Sequence, residues 1–298
     1  MKRNHIRNSA EDRVFSVIAY TLATLALIIT LYPLLYCISA SFSDPMEVVK
    51  GNVILLPPKP TLMAYQAVAK NKSMFTGYVN TFFYTVLGTS LNLIMTIAAA
   101  YPLSKRDFRG RGGITFLFTL TMFFSGGMVP NFLLIKKLDM YNSIWALLLP
   151  GCVSAWNLVI MRTYFQTSIP EEICESAYID GCSNIGTLLR IVLPLSIPII
   201  AVMVIFYGVG HWNSYFSALL YLKDRAKYPL SLVLREILLQ GMGQEKSGAE
   251  VVDSAADLLL FETLKYAVII VSSVPMLILY PALQHYFVKG TMVGSLKG

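Results

Sequence analysis

Six stretches of the sequence contain no lysine, arginine, aspartate or glutamate, and polar segments separate them. Each stretch is at least as long as the ~20 residues that a helix needs to cross the hydrocarbon core of a bilayer. None alternates apolar and polar residues in the manner of a membrane-spanning strand. The sequence therefore predicts an all-α integral membrane protein with six transmembrane helices. The predicted spans are residues 14–43, 73–104, 112–135, 140–161, 191–222 and 266–288.

The polar segments beside and between the spans define the rest of the predicted organisation. Two of the connections are long, and a third has the pattern of a helical hairpin. The predicted parts are an N-terminal stretch, 1–13; a transmembrane domain, 14–288, with long loops 44–72 and 223–265 and a hairpin, 168–194; and a C-terminal tail, 289–298.

A short amphipathic helix is predicted within the second long loop, directly after Pro229. Leu230, Val233, Leu234 and Ile237 are spaced to form one apolar face of this helix. The face either docks a soluble partner or packs on the protein's own helices, and the sequence favours neither.

Composition and charge agree with a membrane protein and indicate its orientation. Hydrophobic residues make up 55% of the chain and charged residues 14%, against roughly 25% charged in a soluble domain. Lysines and arginines are densest in residues 1–13 and in the turn 104–113, with four in each. Because positive segments stay on the cytoplasmic side, we expect a multi-pass protein of the cell membrane. Both termini and the hairpin would be cytoplasmic, and the two long loops would lie outside.

The hairpin is predicted from capping signals. Ser168 and Glu171 have the spacing of a capping box, which starts a short helix. Gly181 is expected to end that helix, since glycine adopts the left-handed conformation at helix ends without strain. Ser183 or Asn184 can cap a second helix. A polar hairpin of this kind is suited to docking into a cleft of another protein.

At these positions the chain resembles the transmembrane permease subunits of binding-protein-dependent ABC importers. Their hallmark is Glu-Ala-Ala, two residues, Asp-Gly-Ala, five residues, an aromatic, two residues, Ile, one residue, Leu-Pro, and a second Pro four positions later. Ser176 and Cys182 replace alanines and Leu188 replaces the aromatic, so small size and apolar character are kept. The matching positions are Glu175, Ser176, Ala177, Asp180, Gly181, Cys182, Leu188, Ile191, Leu193, Pro194 and Pro198.

The resemblance extends over nearly the whole chain and is closest to the carbohydrate-importing branch of the family. The segments 128–151, 211–222 and 287–298 are similar to parts of maltose-type and oligosaccharide-type permeases. Their fold is the type I ABC importer permease fold. An amino-acid or peptide permease would share the hairpin, so it is the alternative for the substrate class.

The resemblance implies that the hairpin is a coupling helix that inserts into a groove of a separate ATPase. The implied coupling residues are Glu171, Glu172, Glu175, Ala177, Asp180, Gly181, Leu188 and Arg190. The implied partners are a second permease subunit, an ATP-binding cassette ATPase dimer, an extracellular solute-binding protein, a sugar or oligosaccharide, and the lipid bilayer, with no nucleic acid. ATP and magnesium would be bound by the partner ATPase, and no cofactor is expected in this chain. The C-terminal tail either reaches the ATPase interface or frays.

Polar and aromatic residues inside the spans are candidates for the substrate pathway. The fifth span carries His211, Trp212, Asn213 and Tyr215 close together, and aromatic faces with amide or imidazole groups suit a sugar. Hydrogen bonding between helices is the competing interpretation.

Two further asparagines, Asn131 and Asn157, lie in other spans. Interhelical bonding is favoured for both, with the pathway as the alternative. The sequence around Asn131, FFSGGMVPN (123–131), contains glycines and a proline that favour a broken helix.

The residue pattern provides no basis for catalysis. The segment GMGQEKSG (241–248) lacks the glycine that precedes the lysine of a phosphate-binding loop. The three histidines are scattered and there is no Cys-x-x-Cys pair, so no nucleophilic triad or metal site is expected. A secondary transporter would need charges within the spans, and a membrane enzyme would need a cluster of catalytic groups. Both classes fit less well than an importer subunit.

Overall fold

A computed structural model of the protein describes residues 10–241 and 255–295. Within those ranges the chain is all-helical, as predicted, with a π-helical turn at Leu188–Val192 and a 3₁₀ turn at Arg225–Lys227. The α-helices are α1 Ala10–Ser41, α2 Pro45–Val49, α3 Met63–Lys70, α4 Lys72–Ser104, α5 Arg111–Phe123, α6 Met128–Lys137, α7 Trp145–Leu148, α8 Ala155–Ser168, α9 Glu171–Ile179, α10 Asn184–Thr187, α11 Leu193–Leu195, α12 Ile197–Trp212, α13 Phe216–Tyr221, α14 Leu230–Gly241 and α15 Ala255–Ser295.

The chain divides into two compact units. The first is drawn from Met1–Lys70 and Ile237–Ser272, and the second from Asn71–Glu236 and Ser273–Gly298. Parts of the predicted N-terminal stretch (1–9), of the second long loop (242–254) and of the C-terminal tail (296–298) lie outside the described residues.

The first unit contains α1, whose apolar side chains are exposed along most of its length. A helix that is apolar on all sides is suited to contact with lipid. Near its end, Ala40 is buried with Val48 and Val53, and the Tyr36 ring packs edge-on against Tyr266.

The predicted outer loop of this unit is folded around an ion pair. The Lys59 ammonium and the Asn52 amide donate hydrogen bonds of 2.7 Å and 2.6 Å to the carboxylate of Glu47. These bonds hold the pKa of the Glu47 carboxyl below its ordinary value. The loop is therefore a folded connection with its own helices, α2 and α3.

The second unit is built around α4. Asn71 caps this helix by accepting a hydrogen bond from the backbone N–H of Met74. The buried positions recur every three or four residues, as one face of a helix requires. They are Met74, Gly77, Thr81, Tyr84, Gly88, Thr89, Asn92, Thr96, Ala100, Tyr101 and Leu103. This face packs against α12 and α8.

The amphipathic helix predicted after Pro229 is confirmed as α14. Leu230, Val233 and Ile237 are all buried. The backbone N–H of Leu230 donates a 2.7 Å hydrogen bond to Thr81 of α4, and Gly77 lies directly beneath Leu230 and Val233. Packing on the protein's own helices, one of the two predicted alternatives, accounts for this part of the apolar face.

Three helices in the described residues are long and apolar enough to cross a membrane: Glu11–Ser41, Lys72–Ser104 and Leu260–Ala282. Two bent pairs bring the number to as many as five if each pair forms one span. The first pair, α5 and α6, bends by 115° at Gly126 and Gly127, as the FFSGGMVPN pattern predicted. The second bends by 82° where α11 meets α12.

The run 140–161, predicted as one span, is not a continuous helix. It contains α7 and the first half of α8, separated by a turn in which Gly151 has φ +77°. Pro150 has no backbone N–H to donate, and the positive φ of Gly151 interrupts the helical conformation. The charge-free pattern does not register this break, because both sides of it lack charged residues.

Candidate functional site

The predicted hairpin is present, but its first helix begins differently from the prediction. Ser168 is the last residue of α8, so the capping box with Glu171 is wrong. Ile169 is extended because it precedes a proline, and Pro170 occupies the cap position without a side-chain hydrogen bond. Glu171 instead lies 3.5 Å from the guanidinium of Arg106.

The glycine turn of the hairpin is confirmed. Gly181 has φ +79°, and a Cβ atom built on it would meet nothing within 4 Å. The backbone N–H of Gly181 donates to the carbonyl of Tyr178, and that of Cys182 donates to Ala177. Ser183 caps the second helix by accepting a 3.1 Å bond from the N–H of Gly186.

The turn end of the hairpin exposes large apolar side chains on both sides of Gly181. Tyr178, Ile179 and Ile185 are 74%, 84% and 70% exposed, and we call these three residues the hairpin tip. The sequence interpretation emphasised the charged residues and missed Tyr178 and Ile185. The available signal was the presence of large apolar residues on both sides of Gly181 in a segment outside the spans.

The predicted coupling residues fall into two groups. Glu171, Glu172, Glu175, Asp180, Gly181 and Arg190 are exposed. Ala177 is only 7% exposed, and Leu188 packs against the buried cluster that includes Phe165 and Val192. Leu188 therefore holds the hairpin on the helices behind it, and the buried Ala177 presents little surface to a partner.

The hairpin is joined to α12 by a short helical connection. The π-helical turn Leu188–Val192 leads into α11, and the chain then bends at Ser196. Val192 is 2% exposed and Met203 of α12 is fully buried in the same cluster. The hairpin is therefore continuous with a close-packed core, which deforms little.

His211, the centre of the predicted pathway cluster, joins two helices. Its Nε2–H donates a 2.6 Å hydrogen bond to Oδ1 of Asn92 on α4. The Asn92 amide in turn donates to the carbonyl oxygens of Gly151 and Cys152, at 3.2 Å and 2.7 Å. A Cβ atom on Gly88 would lie 2.5 Å from the His211 ring, so only glycine fits there. The geometry places His211 in interhelical bonding.

The neighbours of His211 are arranged in different ways. Trp212 is buried, with its ring centroid 6.1 Å from that of Tyr78. The side chain of Asn213 is exposed and donates to the carbonyl of Val209 in its own helix. The guanidinium of Arg235 lies 5.8 Å from the centroid of the Tyr215 ring.

The structure does not connect Asn131 or Asn157 to this cluster. Asn157 is buried at the start of α8, where its backbone N–H is capped by Ser154. Asn131 is exposed on α6, next to the break at Gly126 and Gly127. Among the pathway candidates, Asn131 lies beside a break in a membrane helix, which is where transporters commonly bind their substrates.

Buried polar groups elsewhere in the second unit also serve to join helices. The hydroxyls of Thr96 on α4 and Tyr207 on α12 lie 2.7 Å apart, and Tyr207 also accepts a hydrogen bond from the backbone N–H of Ser154. Within residues 10–241 and 255–295, no three His, Cys, Asp or Glu side chains are grouped as metal ligands.

Comparison with known proteins gives one family and similar relatives. Residues 73–293 match the model of the family described as binding-protein-dependent transport system inner membrane component. The polygalacturonan/rhamnogalacturonan transport system permease protein YtcP of Bacillus subtilis (strain 168) is 39% identical over 288 residues, which cover 97% of this chain and 100% of YtcP. Protein LplC of the same organism is 39% identical over 293 residues, or 98% of each chain.

A solved structure is similar over almost the same length. The crystal structure of a bacterial ABC transporter involved in the import of the acidic polysaccharide alginate contains a chain with a TM-score of 0.85 and 33% identity. The superposition covers 94% of this chain and 99% of that one.

Proposed function

This chain belongs to the family of binding-protein-dependent transport system inner membrane components, and we propose that it moves sugar through the membrane by coupling its 168–194 hairpin to a separate ATPase. The chain is the permease component of a sugar ABC importer and is not a catalytic subunit. With a second permease subunit it encloses the pathway, and a solute-binding protein delivers the substrate from outside.

The observation that carries the proposed coupling is the exposed hairpin tip. Tyr178, Ile179 and Ile185 expose large apolar side chains that water solvates poorly. The carboxylates of Glu172, Glu175 and Asp180, in the same hairpin, are exposed hydrogen-bond acceptors. Apolar anchors within a charged rim are the usual composition of a protein interface.

The topology that fits this function has six spans. The three long helices and the two bent pairs account for five spans. The remaining span, fourth along the chain, is made from α7 and α8 together. Because α8 has 14 residues, it rises about 21 Å, less than the ~30 Å of a hydrocarbon core. The turn and α7 complete the crossing. Both termini and the hairpin then face the cytoplasm, and the basic residues of 1–13 and 104–113 support this orientation.

The substrate we propose is an oligosaccharide from an acidic polysaccharide. YtcP is named for polygalacturonan and rhamnogalacturonan, and the alginate importer is named for an acidic polysaccharide. Polygalacturonan and alginate are both polymers of uronic acids, so their fragments share ring hydroxyls and a carboxylate on each unit. Asn131 and the exposed Asn213 are the residues of this chain that we place along the pathway.

The coupling role is tested by charging the tip. In Tyr178→Asp and Ile185→Asp, a carboxylate replaces an apolar anchor, so the hairpin should bind the ATPase at least about tenfold more weakly. The tagged full-length chain is purified with its partners, and ATP hydrolysis is measured per permease. Leu56→Asp is the matched control, since Leu56 is an apolar residue of the loop 44–72 that is 82% exposed and lies outside the hairpin. Full hydrolysis by both tip variants would contradict the proposal.

A further inference from the structure

A cavity of about 290 Å³ lies behind the hairpin, between the ends of α4 and α8 and the starts of α5 and α9. The coupling contact described above does not use it, because the cavity is at the base of the hairpin and the exposed tip is at its outer end. Its walls combine cationic side chains with an aromatic floor, and each part of this lining has its own geometry.

Three cations and one carboxylate line the cavity: Lys105, Arg106, Arg111 and Glu171. Arg106 and Glu171 are 3.5 Å apart, and both side chains are more than half exposed. A pair of this kind is weak in water. The lining therefore keeps an excess of positive charge, and the Arg106 guanidinium is available to a second acceptor.

Arg111 adds to this charge through its place in the fold. It is the first residue of α5, a helix of 13 residues that has no side-chain cap. Its guanidinium donates to the carbonyl of Lys105, which fixes it at the cavity wall. The positive end of the helix dipole favours an anion at this position.

Tyr101 supplies an independent observation. It lines the cavity, is only 8% exposed, and its hydroxyl is buried without a hydrogen-bond partner. The Lys105 ammonium lies 5.2 Å from the centroid of the same ring. A buried hydroxyl that lacks a hydrogen-bond partner is costly. A small shift of the Lys105 side chain, which lies beside this hydroxyl, would open it to a ligand oxygen in the cavity.

We propose that this cavity binds a phosphate group. The guanidinium groups of Arg106 and Arg111 match the geometry of phosphate oxygens, Lys105 adds a third positive charge, and the Tyr101 hydroxyl donates to one oxygen. The volume exceeds that of a phosphate alone, so a glycerophosphate headgroup also fits. The phosphate comes either from an anionic phospholipid at the edge of the bilayer or from a soluble anion.

Binding at this site changes the surroundings of the hairpin. A phosphate that recruits Arg106 competes with Glu171, the first residue of α9. The site is therefore placed to adjust how firmly the base of the hairpin is held. Binding itself does not depend on the proposed coupling to an ATPase, so the two proposals fail separately.

Cys174 provides the measurement, because its thiol lines the cavity and is free. The full-length chain carries Cys37→Ala, Cys152→Ala and Cys182→Ala, and the rate of maleimide labelling at Cys174 is followed. One arm adds inorganic phosphate at constant ionic strength, with chloride as the reference. The other arm compares nanodiscs of phosphatidylglycerol with nanodiscs of phosphatidylcholine.

Several-fold slower labelling in phosphatidylglycerol alone identifies a lipid headgroup, and slower labelling with inorganic phosphate identifies a soluble anion. Unchanged labelling in both arms overturns the proposal. Arg111→Gln should weaken the protection about tenfold, whereas Arg109→Gln, on the same turn but outside the cavity lining, should keep it. Equal loss in both variants would show diffuse charge and would also overturn the site.

Tyr101→Phe extends the test without removing a charge. It should weaken the protection several-fold and leave the labelling rate without anion unchanged. The unfolding temperature should not fall, and it should rise if removal of the unpaired hydroxyl relieves its cost. Protection as strong as that of the parent chain would contradict the role of the hydroxyl.

Discussion

Gly181 determines the shape of the hairpin through its backbone alone. Its φ is +79°, and the space where a Cβ would lie is open. A side chain at this position would therefore be disfavoured by the backbone conformation and not by contact with neighbouring atoms. A β-branched side chain is strained there by about 1 kcal/mol or more, while asparagine tolerates the left-handed region better. The hairpin geometry is thus more sensitive to backbone conformation than to side-chain packing at this position.

Gly181→Val should therefore lose sugar uptake while the subunit remains in the membrane at normal abundance. Gly181→Asn should retain most of the uptake, because it adopts positive φ at lower cost. Uptake of labelled oligosaccharide by cells, normalised to the amount of subunit in the membrane fraction, measures both. Uptake by the valine variant at the level of the parent chain would show that the turn does not need its positive φ.

Residue-level features were predictable from sequence where the signal is local. The glycine turn and the Ser183 cap depend on neighbouring backbone groups, and both are confirmed. The Ser168 capping box is wrong because its four-residue signal competes with the continuation of α8 and with Pro170. The partner of His211 was not predictable, since Asn92 is distant in sequence and only the packing of α12 on α4 joins them.

The contact between α4 and α12 is the close approach on which the second unit depends. Gly88 lies against the imidazole of His211, and the hydrogen bond to Asn92 follows one turn further along α4. Small residues allow membrane helices to come this close. The absent side chain at Gly88 is therefore a condition for the hydrogen bond.

Gly88→Ala should destabilise the protein by about 1 to 3 kcal/mol, the cost of overpacking a well-filled core. Gly210→Ala is the matched control, because a Cβ on Gly210 of α12 meets nothing within 4 Å; it should be neutral or slightly stabilising. Thermal unfolding in detergent measures both variants. Equal unfolding temperatures would show that the His211 ring moves aside without cost.

Helices were predictable from charge-free runs because lipid penalises charge along the whole length of a span. The break at Gly126 and Gly127 was predictable for the same local reason as the hairpin turn. The break between α7 and α8 was not identified, although Pro150 and Gly151 mark it. Its exposed carbonyls are satisfied by Asn92 of α4, a contact that hydropathy cannot reveal.

At the scale of the whole transporter, the proposed substrate class determines which sugar accelerates ATP hydrolysis. The purified complex with its binding protein should hydrolyse ATP several-fold faster with oligogalacturonate than without sugar. A neutral maltooligosaccharide of the same length should have little effect, because it lacks the carboxylates that fragments of polygalacturonan and alginate share. A dipeptide serves as the second control. Stimulation by the peptide alone, or by the neutral sugar alone, would contradict the proposal that the substrate is an acidic oligosaccharide.

The hairpin tip also affects the fate of surplus copies of the protein. A subunit made without its partner leaves Tyr178, Ile179 and Ile185 in contact with water, a surface that promotes self-association and is recognised by chaperones and proteases. Under the proposed coupling, cells that produce this chain in excess of the ATPase should clear or aggregate the remainder. The exposure of these three side chains therefore makes it necessary to produce the chain and the ATPase in balanced amounts.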